Sequence, residues 1–475
     1  MRSRFLLPIL LYLSGSIAFA NNIVLPDIGD SAGSISPVEE YRTGEAVIRN
    51  IRRAGGIFDD PLIHDYLNDL GYRLVAASET QQPFHFFLIK DDAINAFALP
   101  GGFIGINAGL VLSTETESEL AGVMAHEIAH VTQRHHARQY EQGSNSIPVI
   151  AALIAAMVLG SQNNDIGQAA IASVAANSAQ NQINFTRANE KEADRIGIEL
   201  LTKADFNPHA MAAFFEILDK RSRLYGDSVP EFLRSHPVNQ ARIADAKLRA
   251  NKYPNVLTTG STSYYLLRTR LKVLTSNDKT ELLNYFSGKL TAGNYQNKDA
   301  TRYGYALALK ENNQYKEALQ QANILVKKNP EQIAYSLLKA GIETEAKNFS
   351  AAEKTFHQLL KLYPSNNTIS LYYANSLLKA GKFKTAYKIL QQQVTHSNQT
   401  PELYRMLAET EAKLNKPGYS HQALSEYYYL RGQTHDAIKQ VELGLKTPGI
   451  DFYLISRLEA RLKEFKNELE QLEAK

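Results

Sequence analysis

The chain has 475 residues, of which 21% are charged and none is cysteine, and a formal net charge of +3. The absence of cysteine excludes a disulfide framework and a lipidated N-terminal cysteine. The nearly balanced charge, with no base-stacking or groove-reading motif, excludes a dedicated nucleic-acid binder, and the length allows two or three domains.

From the N-terminus, Arg2 and Arg4 precede an apolar run from Phe5 to Leu13, and Ala18-Phe19-Ala20 closes it with a small-x-small pattern. This is the form of an export signal cleaved near Ala20, too short for an integral membrane anchor. Export without cysteine suits a bacterial periplasm. Beyond the signal, residues 21–300 carry 26 Lys/Arg against 31 Asp/Glu, whereas residues 301–475 carry 24 against 18. The excess peaks between residues 351 and 400, with six lysines and one glutamate. Those lysines are dispersed, which reads as solvated surface; attraction for an acidic partner is the alternative.

Two segments read as β-strands, Phe84 to Lys90 and, after a Pro100-Gly101-Gly102 turn, Phe103 to Asn107. An edge strand here would pair with an extended substrate backbone; burial within its own sheet is the other reading. An amphipathic helix from about Ser118 to Arg138 follows and carries His126-Glu127-Ile128-Ala129-His130. At helical pitch the two histidines share one face, as two imidazoles binding one Zn²⁺ require. Glu127 projects beside them, where it can take a proton from the attacking water. A zinc site needs a third protein ligand. Glu190 and Asp194 lie four residues apart on one face of a second helix, with Glu192 pointing away. Glu190 is assigned as that ligand. Asp194, one turn on, would bond the free nitrogen of a ligating histidine or stabilise the reacting group. His135 and His136 fall off the His126/His130 face and read as solvated.

Between these helices, residues 147–160 are strongly apolar and residues 169–179 rich in alanine. They read as a helical hairpin or lid over a cleft, or equally as a buried core helix. In Ser235-His236-Pro237, the histidine reads as a surface residue at a helix start. Arg242, six residues later, fits an oxyanion stabiliser and a structural ion pair equally well.

The last third is periodic. Ala318, Ala352 and Ala386 are 34 residues apart, as are Ala306, Ala340, Ala374 and Ala408; Tyr315, Phe349 and Phe383 and the Pro330/Pro364 pair keep the same period. These are the small, aromatic and proline positions of tetratricopeptide repeats. After Ala408 the period slips by about three residues near Lys416-Pro417-Gly418, a further helix pair carries Ala423 and Ala437, and Asp451 to Lys475 reads as a charged capping helix. The concave face of such an array holds a peptide or partner protein, or docks the array structurally.

The His126-Glu127-x-x-His130 and Glu190-x-x-x-Asp194 pair resembles the gluzincin pattern of CAAX-prenyl-protease-like and heat-shock membrane peptidases. With Asn95-Ala96-Phe97-Ala98-x-Pro100-Gly101-Gly102, Ser235-His236-Pro237, Arg242, the export signal and the repeats, the chain resembles the periplasmic beta-barrel assembly-enhancing proteases. The resemblance spans essentially the whole mature chain. It implies a mainly α fold with a small β-sheet, a gluzincin metallopeptidase domain followed by an α-solenoid of tetratricopeptide repeats. The expected divisions are residues 1–20, signal; 21–260, metallopeptidase; 261–298, connecting helices; and 299–475, repeats. The resemblance further implies that His126, His130 and Glu190 bind one Zn²⁺, that Glu127 is catalytic, and that Asp194 donates a proton or supports a ligand. It makes His236 a fourth, regulatory ligand that would close the position open to water. The implied partners are unfolded polypeptides, outer-membrane β-barrel proteins and, through the repeats, the barrel assembly machinery. Two functions fit: a regulated zinc endopeptidase with chaperone-like activity, and an assembly scaffold whose protease site is mostly latent. The intact Glu127 favours the first, because a scaffold needs no base.

Overall fold

The computed structural model describes residues 36–135, 187–225, 230–254, 256, 260–396 and 400–473. The export signal, the apolar segment at 147–160, the alanine-rich segment at 169–179 and His136 lie outside them. The fold is mainly α with one small sheet. Among the described residues, no helix is long and apolar enough to cross a membrane.

The peptidase half begins with α1 (Pro37–Arg53) and α2 (Pro61–Ala76). Ser36 closes a capping box with Glu39 on α1, and Asp60 caps α2 by accepting from the Ile63 N–H. Three strands follow: β1 (His85–Ile89), β2 (Ala96–Leu99) and β3 (Phe103–Asn107), in the order β1-β3-β2. β1 runs parallel to β3 and β2 antiparallel to it, Ala98 facing Ile104. The two strands read from sequence are therefore joined by a third. Phe103–Asn107 is central and fully buried, so the edges of the sheet are β1 and β2. The β2–β3 turn needs Gly101 and Gly102 at φ of +77° and +82°. A Cβ on Gly102 would stand 2.0 Å from the Pro83 carbonyl oxygen.

The short α3 (Ala108–Ser113) leads into α4 (Glu117–Thr132), capped by the Thr116 hydroxyl. α4 is buried from Ser118 to His130, because α2, the sheet, α5 (Arg187–Lys203) and α6 (Ala210–Tyr225) surround it. Gly197 of α5 permits the close α4–α5 crossing: a Cβ there would lie 2.6 Å from the Met211 methyl and 3.3 Å from the His126 nitrogen. The helix expected to continue to Arg138 stops at Thr132, and Arg134 takes a left-handed φ of 50°. The Gln133 N–H bonds back to Ala129 and the Arg134 N–H to Val131. α7 (Glu231–Ser235) and α8 (Gln240–Ala250) complete this half.

The rest is helical hairpins. α9 (Thr262–Thr275) and α10 (Lys279–Ala292) precede α11 (Lys298–Glu311), α12 (Tyr315–Lys328), α13 (Ile333–Glu345), α14 (Phe349–Leu362), α15 (Asn367–Lys379), α16 (Phe383–His396), α17 (Pro401–Lys413) and α18 (Pro417–Leu430). The periodic alanines lie where adjacent helices meet: Ala306, Ala340 and Ala374 are inaccessible, as are Ala318, Ala352 and Ala386. The α11–α12, α13–α14, α15–α16 and α17–α18 turns each place one residue at positive φ, at Asn313, Lys347, Gly381 and Asn415, again 34 apart. The slip expected after Ala408 does not occur through α18. Ser420 takes the place of the next alanine, and its hydroxyl bonds the Ala408 carbonyl at 2.8 Å. α19 (Thr434–Leu445) and α20 (Phe452–Glu473) end the stack, and α20 buries Leu454, Leu458 and Phe465.

The helical hairpins meet the peptidase half around α9 and again near the far end of the array. Arg270 of α9 grips the Asp60 carboxylate at 2.9 and 2.5 Å and bonds the Tyr303 and Tyr372 hydroxyls. At the far end Arg49 of α1 pairs with Glu468 at 2.5 Å and lies over the Tyr429 ring.

Candidate metal centre

α4 presents His126 and His130 on one face, α5 brings Glu190, and the end of α7 brings His236. Their ligand atoms lie within 4.8 Å of one another. His126 Nε2 is 3.0 Å from His130 Nε2 and 3.3 Å from His236 Nδ1. Glu190 Oε1 is 3.0 Å from His236 Nδ1 and 3.5 Å from His130 Nε2. A tetrahedral ion with bonds of about 2.0–2.1 Å sets its ligand atoms about 3.3 Å apart. The four atoms therefore fit such an ion, and nitrogen lone pairs this close favour a cation between them. All four residues are at most 2% exposed.

The outer nitrogens of the α4 histidines are held. His126 Nδ1 is 3.1 Å from Asp194 Oδ1, one turn along α5 from Glu190. Such an outer carboxylate fixes the tautomer and turns Nε2 inward. Asp194 thus sits behind His126, on its outer side. Arg242 lies among these carboxylates. Its Nε and Nη2 donate to Asp194 at 2.8 and 2.7 Å, and its Nη1 donates to the Pro237 carbonyl at 2.8 Å and meets Glu190 Oε2 at 2.7 Å. This side chain braces both carboxylates and the His236 segment.

His135 was expected to be solvated, and it is inaccessible. Its Nδ1 lies 2.8 Å from His130 Nδ1 and its Nε2 3.1 Å from Glu192 Oε2. The cause is the early end of α4: the left-handed Arg134 turns the chain back, so His135 comes behind His130 instead of continuing round the helix. Glu192, which faces away from Glu190 on α5, is the outer end of this relay. The signal available in sequence was a second histidine five residues after the motif, which helical periodicity misplaces.

Burial pushes the Glu190 and Asp194 carboxyls up, but their charged neighbours outweigh it. His236 and His126 hold Glu190 well below the usual range, and His126 with Arg242 holds Asp194 below it. Burial lowers His126, yet Asp194 and Glu190 carry it up to about 10. Burial, aided by the His126 charge, takes His130 well down. Glu127 is raised by burial, an effect offset in part by His236 and His126. The nearby Ala98 N–H of β2 offsets it as well, and Glu127 Oε1 lies 3.6 Å from His236 Nε2. The base, the edge strand and the fourth donor therefore meet at one point.

Peptidase family M48 matches residues 61–250, and a tetratricopeptide-repeat model matches residues 343–410. The beta-barrel assembly-enhancing protease of Escherichia coli (strain K12) is 35% identical over 438 residues, covering 90% of each chain. The putative beta-barrel assembly-enhancing protease of Vibrio cholerae serotype O1 is 36% identical over 429 residues, 89% of this chain and 88% of that one. The mitochondrial metalloendopeptidase OMA1 of Schizosaccharomyces pombe is 29% identical over 185 residues, 38% of this chain and 50% of its own.

Proposed function

This chain belongs to peptidase family M48, among the beta-barrel assembly-enhancing proteases, and from that premise we propose a zinc-dependent periplasmic endopeptidase with chaperone-like activity. It promotes assembly of outer-membrane β-barrel proteins or degrades those that misassemble, and its repeats engage the barrel assembly machinery. The metallopeptidase part runs from residue 21 to 260, the connecting helices from 261 to 298 and the repeats from 299 to 475. The observation that carries the reading is the buried four-donor cluster with Glu127 against it and the β2 edge alongside.

His126, His130 and Glu190 would hold the ion, which polarises the scissile carbonyl and acidifies water. Glu127 takes the proton from the attacking water and returns it to the leaving amine. Ala98 of β2 lies beside Glu127, and β2 offers its edge to an extended substrate with little demand on side chains. Asp194, Arg242 and the Glu192–His135 pair keep the ligands aimed.

His236 sets the state of the site. Its Nδ1 fills the fourth donor position and its Nε2 faces the base, so water and substrate enter only when the His236 segment leaves. This complete burial favours the second reading, a chaperone whose protease is latent until triggered. Cleavage of an unfolded model protein by wild type and His236→Ala tests the switch. The variant is expected to cleave faster with zinc retained; equal or slower cleavage at equal zinc content counts against it. Glu127→Gln then separates the roles, because barrel assembly that survives without cleavage leaves the chaperone activity standing alone.

A further inference from the structure

A cavity of about 640 Å³ opens in the last repeats, between α16 and α20, over a floor formed by α17 and α18. Val394, Leu407 and Ala423 give it an apolar surface, and Gln391, Gln422 and Thr395 give it hydrogen-bonding groups. Glu411 lies in the floor, 3% exposed, and its Oε2 has no hydrogen-bond partner. A buried carboxyl oxygen left this way is costly unless something arrives to bond it.

The charges around it are unevenly committed. Glu426 is bound by Arg461 through two bonds of 2.7 and 2.6 Å, and Arg461 also reaches Glu464. Asp451, outside the lining, accepts from the Tyr419 hydroxyl at 2.6 Å. Lys416 stands over the Tyr387 ring at 4.2 Å, and Arg457 over the Tyr419 ring at 5.8 Å. Arg457 lines the cavity beside Glu411 and also feels Asp451, whereas Lys416 stands outside the lining and donates to the Tyr387 hydroxyl at 3.1 Å. Burial raises the Glu411 carboxyl to about 8 against the pull of these two cations, so near neutral pH it carries a proton to donate. The cavity has cations and one acid hydrogen to offer, and the repeat region as a whole has the cation excess seen in its sequence.

We propose that this groove binds an acidic segment of an extended polypeptide, its side-chain carboxylate held between Arg457 and Glu411 and its apolar neighbours resting on Val394, Leu407 and Ala423. The occupant is an internal acidic residue, since the cavity opens to solvent and its apolar lining gives the residues on either side a place to rest. The proposal deepens the partner-binding reading of the repeats and does not involve the metal centre. Its failure would leave the peptidase reading untouched, since binding is measured with no cleavage.

The test uses the full chain carrying Glu127→Gln and fluorescence anisotropy of labelled, end-blocked nine-residue peptides of Val, Gln and Phe around a central Asp. Binding is expected to weaken at least tenfold when that Asp becomes Asn, and similarly in Arg457→Ala, whose exposed site tolerates truncation. Glu411→Gln keeps a donor and is expected to retain binding, whereas Glu411→Leu loses it. Raised salt should weaken the complex. Equal affinity for the Asp and Asn peptides, or no effect of Arg457→Ala, overturns the proposal. So does tighter binding of an Asn peptide with a free C-terminal carboxylate, which would make the occupant a chain end.

Discussion

The metal centre and the groove of the last repeats both bury carboxyl groups, and they hold them in opposite states. At the centre Glu190 and Asp194 remain charged, because Arg242 and the histidines surround them at 2.7–3.1 Å. In the repeats Glu411 has cations near but none bonded to Oε2, and desolvation prevails. The difference shows what a buried charge requires: bonded counter-charge from several elements, not proximity alone. Helix α8 supplies that at the centre through one arginine. The groove's nearest equivalent, Arg461, is committed to Glu426 and Glu464.

The largest expected effect lies in the base. Glu127→Gln preserves volume but cannot cycle a proton. Cleavage of an unfolded model protein should fall by about 10²–10⁴-fold, with zinc content unchanged by elemental analysis. Loss of zinc together with activity would mean that Glu127 belongs to the ligand set.

Arg242→Met next removes the brace while keeping most of its bulk. Two buried carboxylates then lack their cation, and urea unfolding should report about 3–5 kcal/mol of lost stability. A loss below about 1 kcal/mol would make the bond pattern around Arg242 energetically idle and would erase the contrast with the groove. His135→Leu acts more locally. It strips the outer nitrogen of His130 of its partner and should weaken zinc by about 10–100-fold, read by chelator competition. Glu192→Gln should weaken it less, since Glu192 is one bond farther out and partly solvated. Unchanged zinc affinity in His135→Leu would reduce the relay to packing.

Much of this contrast was readable before the fold was known, and the unreadable parts have identifiable causes. His126, Glu127, His130 and the Glu190/Asp194 pair follow from helical pitch, since residues on one continuous helix keep fixed relations. The repeat register follows from a period that each hairpin repeats, and it ran further than read, because Ser420 substitutes for alanine without loss of closeness. His135 could not be placed by pitch, since the helix carrying the motif ends before it. The central position of β3 depended on a short strand, β2, whose Ala-Phe-Ala-Leu looks like a loop motif until it pairs with Phe103–Ile106. Arg242 was undecided in sequence because its choice between oxyanion and brace depends on where α8 crosses α5. Glu411 carried no signal at all: an acidic residue near the end of a repeat helix looks solvated until the neighbouring helices pack around it.

The smallest predicted effect tests the groove side of the comparison through pH. Glu411 has its folded value raised to about 8 by burial, against about 4.3 for an unconstrained glutamate. In this range the native chain holds a proton that the unfolded chain has released. Stability must therefore fall as pH rises from the unfolded value, and the fall ends once pH passes the folded one. Between pH 6 and pH 8 the single group accounts for about 2 kcal/mol. Glu411→Gln has no proton to lose and should remove that part of the decline, so urea-unfolding curves for the two proteins separate with rising pH. An identical pH slope in wild type and variant would mean that Glu411 is already ionised and paired in the folded chain, and the two regions would then bury their carboxyls in the same way.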